Sequence, residues 1–232
     1  AIRRQRQMCI RDRLQAYTSV LEVPGEVDLA IIVVNAKFVL STIDQCHEKG
    51  IKGLCIITAG FKETGKEGAE VEKQLVEKIK EYGMRCVGPN CLGVVNTHPD
   101  VRMDGCFAES LPERGNIGFV SQSGALGGGI LNILKDLNLG FAQFISIGNQ
   151  ADVNAETALE YWENDEDVKQ ILLYMESIQD PANFRKLATR ITKKKPILAL
   201  KSGRSAAGAS AASSHTGSLA GCLLYTSDAA DE

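Results

Sequence analysis

The sequence predicts an α/β protein made of two successive units, each built on a parallel sheet. Two observations lead there. Short apolar runs rich in β-branched residues recur along the chain, and amphipathic stretches of helical period, ended by glycine, separate them. A β-α-β-α-β rhythm of this kind gives a parallel sheet with helices on both faces.

Residues 28–34, Asp-Leu-Ala-Ile-Ile-Val-Val, read as a strand buried on both faces. Residues 36–49 read as a helix with Phe38, Val39, Ile43 and Cys46 on one face, stopped by Gly50. A second strand is predicted over 52–58, and a charged helix over 68–82 with Val71, Leu75, Val76 and Ile79 inward, ended by Gly83. Residues 84–88 form a third strand. Residues 96–115 contain Pro99, Gly105, Pro112 and Gly115 with weak periodicity and read as a linker. The second unit follows: strand 116–120, turn 121–124, helix 125–137, strand 141–147, helix 155–164, strand 170–175, helix 183–194 and strand 196–201. Apart from the shared α/β pattern, the two halves show no repeat.

Bulk properties bound the function. With 232 residues, 44% hydrophobic, 24% charged and a net charge of −3, the chain is expected to be folded and globular. No basic stripe interleaves with aromatics, so no nucleic-acid partner is expected. No apolar run reaches the ~18 residues of a membrane helix. Seven cysteines include no CxxC pair, and several sit in apolar runs. Reduced, mostly buried thiols and a cytoplasmic location are therefore expected, and no metal site.

Both ends read as foreign. Residues 1–13 are arginine-rich without the apolar segment of a secretory signal or the serines of a transit peptide. Together with residues 222–232 they resemble adapter-derived sequence and are set aside. A natural basic arm and acidic tail are the alternative.

In parallel sheets ligands bind beyond the carboxyl ends of the strands. The segments there, residues 35–38, 58–61 and 88–93, should line one crevice. Residues 120–126, Val-Ser-Gln-Ser-Gly-Ala-Leu, join a strand to a helix. A helix start has free N–H groups and about half a positive charge, so small residues there suit a phosphate cradle. An ordinary serine cap reads equally well. Residues 201–217 are nearly all small, with Lys201, Arg204 and one histidine, His215. A lone histidine is more often a surface residue than a catalyst. On a supple loop, though, an imidazole with a pKa of about 6.5 is a competent nucleophile. Glu176 ends a strand near the cradle, where it either fixes a histidine tautomer or caps the turn before Pro181.

Three motifs in order, Gly88-Pro-Asn-Cys-Leu-Gly93, Val120-Ser-Gln-Ser-Gly-Ala-Leu126 and Ser214-His-Thr-Gly-Ser-Leu-Ala-Gly221, together with Ile57-Thr-Ala-Gly-Phe61, resemble the ADP-forming acetyl-CoA synthetases, relatives of the succinyl-CoA synthetase α subunit. The likeness runs from about residue 15 to residue 221. It implies a partial Rossmann-like CoA-binding domain over 14–95, then a flavodoxin-like ligase domain over 116–221 with a phosphohistidine loop. The implied reaction interconverts acyl-CoA, ADP and phosphate with carboxylate, ATP and CoA. The resemblance makes His215 the phosphorylated histidine and Glu176 the carboxylate that holds its ring. Ser121, Ser123, Gly124 and Ala125 become the phosphate site. Asn35, Lys37, Phe38, Thr58, Ala59, Gly60 and Asn90 become CoA contacts. It further implies ADP/ATP and Mg2+ bound through an ATP-grasp domain or β subunit, acyl-CoA or a small carboxylate and phosphate as substrates, and an oligomeric intact enzyme.

Departures stand beside it. Asn35 replaces a usual proline, and neither the glycine-rich loop that opens the CoA domain nor an ATP-grasp domain occurs in these 232 residues. Glycines 127–129 stand where succinate enzymes use an aromatic hydroxyl, which points to a small monocarboxylate. Two other readings remain: a CoA-binding regulatory or scaffold region of an acetyltransferase-type fusion, and a dinucleotide-dependent oxidoreductase, although no GxGxxG loop is present.

Overall fold

In the computed structural model, residues 15–108 and 113–202 are described. His215, Cys9, Cys222, the segments 1–13 and 222–232, and nearly all of the 201–217 loop lie outside them.

The first sheet is parallel, in the order β1 (Leu29–Ile32), β2 (Gly53–Ile56), β3 (Arg85–Val87). Helices α1 (Val39–Lys49) and α2 (Lys66–Glu81) connect its strands. Gly50, at φ 88°, ends α1, because a left-handed residue costs glycine nothing. Val39, Ile43, Leu54, Ile56, Leu75 and Ile79 fill the core of this unit.

Two expectations change here. β1 is not buried on both faces: among the described residues it is an edge strand, and Ile31 is 42% exposed. Phe38 leaves the inward face expected for it, because residues 36–38 form a 3-10 turn before α1 begins, and that tighter winding rotates the ring to 52% exposure.

The second sheet has six strands in the order β5 (Met103–Cys106), β4 (Gly93–Asn96), β7 (Phe141–Ser146), β6 (Arg114–Ser121), β8 (Gln170–Met175), β9 (Ile197–Lys201). β6 to β9 are mutually parallel where paired, and β4 runs antiparallel to both β5 and β7. Helix α3 (Gly124–Asp136) lies over Phe119, Phe141 and Phe144 on one face. Helices α4 (Ala155–Trp162) and α5 (Pro181–Ile191) cover the other, where Trp162, Leu159, Leu173 and Leu187 pack together. Trp162 is fully buried, and its Nε1–H donates to Gln143 Oε1 at 2.9 Å.

The segment read as a linker contains β5, and β4 before it belongs to the second sheet rather than the first. Neither strand announces itself in sequence. Each is four residues long, and Gly93 stands in the hairpin because a Cβ there would collide with the backbone of Gly105 and Cys106 opposite. Two short glycine-bearing strands carry too little alternation to be seen.

Asn154 and Asp180 cap α4 and α5 through hydrogen bonds to the amides of Thr157 and Asn183, and Pro181 fills the first turn of α5. The two sheets are joined along residues 149–153. The amides of Asn149, Ala151 and Val153 donate to the carbonyls of Pro89, Gly88 and Cys86. Asp152 accepts from the Cys86 amide and from Arg85 Nε, at 2.8 and 2.9 Å.

Candidate functional site

The strand-end segments do meet. Thr58 Oγ1 donates to the Val34 carbonyl at 2.7 Å, and the Asn90 amide donates to the Thr58 carbonyl at 3.0 Å. Asn35 has φ −58°, the backbone angle a proline would impose, and its Oδ1 accepts the Lys37 amide. Asparagine therefore holds the same turn by a side-chain hydrogen bond. Lys37 Nζ lies 4.9 Å from the centroid of the exposed Phe38 ring, so a cation and an aromatic face sit together at the strand ends. Gly60, at φ 112°, packs so close that a Cβ would lie 2.9 Å from that of Ala36. Residues 34–38, 58–61 and 88–90 thus lie against one another at the strand ends.

Beside them lies a cavity of about 320 Å3, lined by Asn90, Cys91 and Leu92 from one motif, Gln122, Gly124 and Ala125 from another, and by Phe107 and Gly148. The close approach is built in. The Leu92 amide donates to Ser146 Oγ at 2.9 Å, and a Cβ on Gly148 would lie 2.3 Å from the Pro89 carbonyl oxygen. Within α3, Ser123 is the N-cap and accepts the Leu126 amide at 3.4 Å, while the Gly127 amide bonds the Ser123 carbonyl. Gly124 and Ala125 therefore supply first-turn N–H groups beside the cavity, at the positive end of the helix dipole. Ser121 does not line the cavity. It is fully buried, and its hydroxyl donates to the Ser123 carbonyl at 2.7 Å, bracing the turn.

Glu176 is 4% exposed just past β8. Its amide and that of Ser177 donate to Gln122 Oε1, at 2.8 and 3.0 Å. Its Oε2 is buried and accepts from no described residue. It does not cap α5, since Asp180 does. Buried acceptors are ordinarily satisfied, so this oxygen is open to a donor brought from elsewhere.

Sequence reasoning missed Phe107, Gly148 and Asn149, and included Leu92 and Gln122 in its motifs without singling them out. The missed residues declare themselves only through contacts between units. Cys46, Cys55, Cys86 and Cys91 are buried free thiols, as expected, and Cys106 is half-buried. Cys55 and Cys91 lie with their sulfurs 3.8 Å apart. Contact with Cys55, then burial, pushes the Cys91 thiol far above its ordinary range. Among the described residues no cluster of His, Cys, Asp and Glu could hold a metal ion, and no helix is long and apolar enough to cross a membrane.

Known proteins share this arrangement. Residues 7–97 match the model of a CoA binding domain, and residues 114–230 that of a succinyl-CoA ligase like flavodoxin domain. Both matches reach into the end segments set aside on composition. The α subunit of an acetate–CoA ligase [ADP-forming] II from Pyrococcus furiosus is 52% identical over 90% of this chain and 45% of its own length. An acetate–CoA ligase [ADP-forming] from Methanocaldococcus jannaschii is 47% identical over 90% of this chain and 29% of its own. The structure of a dinucleotide forming acetyl-coenzyme A synthetase 1 from Ca. Korarchaeum cryptofilum, in complex with phosphate and ADP, superposes with a TM-score of 0.84 at 38% identity, over 90% of this chain and 45% of that one. The chain thus spans less than half the length of these relatives. With its α/β units in the same order and two of its motifs bordering one cavity, the chain belongs to the ADP-forming acetyl-CoA synthetase family, as a CoA-binding domain followed by a succinyl-CoA ligase-like flavodoxin domain.

Proposed function

We propose that this chain is the CoA-binding and phosphoryl-relay part of an ADP-forming acyl-CoA synthetase. One observation carries the reading: a single cavity is lined both by the Asn90–Leu92 turn beside the CoA crevice and by the start of α3. Acyl transfer from a thioester to phosphate needs both reactants within bonding distance, and a cavity shared by the two motifs provides that.

In this scheme Asn35, Lys37, Phe38, Thr58, Ala59, Gly60 and Asn90 hold CoA along the crevice, with its thioester at the cavity. Ser123, Gly124 and Ala125 hold phosphate, and Ser121 braces their turn. Phosphate attacks the thioester carbonyl, giving acyl phosphate and releasing CoA as thiol. The unprotonated ring nitrogen of His215 then takes the phosphoryl group and releases the carboxylate. Glu176, with its open buried oxygen, accepts the N–H of the other ring nitrogen and stabilises the charge that develops. Phosphohistidine finally passes its phosphoryl group to ADP. The nucleotide and Mg2+ belong to an ATP-grasp domain or β subunit, and the intact enzyme is a cytoplasmic oligomer. None of the described residues lining the cavity is charged. A second carboxylate would find no cation among them, which favours a small monocarboxylate as the acyl group.

The test is phosphoryl labelling of the intact synthetase, this chain together with its ATP-grasp partner, incubated with acetyl-CoA and labelled phosphate. An acid-labile, base-stable label on His215 is expected, and its loss in His215→Ala along with ATP synthesis. ATP formation at the parental rate in His215→Ala refutes the assignment. CoA binding without any histidine label supports a regulatory region instead.

A further inference from the structure

We infer that Asn149 is a positioning residue that sets the CoA crevice against the phosphate cradle. The inference rests on the function proposed above. Asn149 lies in the turn after β7, is 2% exposed, and engages every one of its polar atoms. Its Nδ2 donates to Glu63 Oε2 at 2.6 Å and to Glu72 Oε2 at 2.8 Å. Its Oδ1 accepts from Asn90 Nδ2 at 3.3 Å. Its amide donates to the Pro89 carbonyl at 2.9 Å, and its own carbonyl accepts from Lys62 Nζ.

Pro89 and Asn90 belong to one of the strand-end segments, and Glu63 reaches another. The other oxygen of Glu63 accepts the amides of Gly60 and Phe61, at 2.5 and 3.1 Å. One side-chain amide therefore fixes the Gly60–Phe61 backbone through Glu63 and the Asn90 turn directly. Its neighbour Gly148 lines the cavity that contains the start of α3. Only a carboxamide meets the demand. Two carboxylates face it and need N–H donors, while Asn90 offers a donor and needs an acceptor. Aspartate would add a third carboxylate and no donor. Alanine would leave Glu63 and Glu72 facing each other with Lys62 as counter-ion, 3.2 Å from Glu72.

The bonds that shape the cradle, from Ser121 to Ser123 and from Ser123 to Leu126, do not pass through Asn149. Its loss should therefore act on one ligand and spare the other. A residue that only holds the fold together would weaken both alike.

The experiment compares the intact synthetase, this chain together with its ATP-grasp partner, with its Asn149→Ala variant by hydrogen exchange and by calorimetric titration with CoA and with inorganic phosphate. Exchange at the Gly60, Phe61 and Asn90 amides should quicken, with little change at Leu126 and Gly127. The dissociation constant for CoA should rise about 10-fold or more, the scale of one lost charge-assisted hydrogen bond, and that for phosphate less than about 3-fold. Glu63→Gln keeps the size of the side chain and should move CoA in the same direction by a smaller factor, which covers an Asn149→Ala chain that fails to fold. Unchanged exchange at Gly60 and Phe61, equal CoA binding in parent and variants, or equal losses for both ligands overturns the inference. An intact synthetase that takes up no CoA overturns the proposed function, and the inference with it.

Discussion

Ala125→Asp separates the anion site from the fold. Ala125 is the second residue of α3, is exposed, and borders the cavity. A carboxylate there sits at the positive end of the helix dipole and can accept first-turn N–H groups. That should stabilise the helix by about 0.3–1 kcal/mol. In a chain of this size each kcal/mol moves the melting temperature by about 2–4 °C, so the variant should melt about 1–4 °C higher. The same carboxylate stands where phosphate would bind. Two unit charges about 5 Å apart at an effective dielectric of about 20 repel by roughly 3 kcal/mol. That is more than a 100-fold loss of phosphate affinity. Thermal melting and phosphate titration on one preparation read both effects. A variant that melts higher but binds phosphate as tightly as its parent refutes the placement of the anion at the start of α3. One that melts much lower refutes the account of the helix terminus.

Two more predictions concern the frame around the site. Trp162→Ala removes a fully buried ring and strands Gln143 Oε1, so about 3–5 kcal/mol of stability should be lost, read as a lower midpoint in urea; a loss under about 1 kcal/mol would count against the packing described. For Glu63, burial pushes the carboxyl up, but hydrogen bonds from Asn149, Gly60 and Phe61 outweigh it and hold it below the ordinary carboxylate range. Because its folded pKa is depressed, its contribution is full above the unfolded value of about 4.3 and disappears as pH falls through the folded one. Glu63→Gln should flatten the acid limb of the stability–pH curve, and an unchanged limb would exclude Glu63 from it.

The helices and parallel strands were legible in the sequence wherever an element was long enough to show its period. The helix face of Val39, Ile43 and Cys46, the strand Gln170–Met175 and the Ser123 cap stand where pattern and capping chemistry put them. The β4–β5 hairpin was not legible, because its strands are four residues long and Gly93 answers a steric demand from the opposite strand, which leaves no periodic mark. Phe38 was misplaced for a related reason: a single 3-10 turn rotated it away from the helix face. The sequence singled out the motif residues of the candidate site but not how they are arranged. Ser121, expected at the phosphate, is buried with its hydroxyl on the Ser123 carbonyl, and Gln122, given no role of its own, both borders the cavity and holds Glu176.

Local chemistry along the chain determined the α/β class, the helix termini and the family. These depend on residues close in sequence, whose spacing alone states what they do. Only the tertiary structure decided that the Asn90–Leu92 turn and the start of α3 border one cavity, and that Asn149 bonds Glu63, Glu72 and Asn90 together. Those contacts join residues up to 86 positions apart. They exist because two sheets are pressed together along residues 149–153, where a buried polar group must find its partner across the junction or lose it.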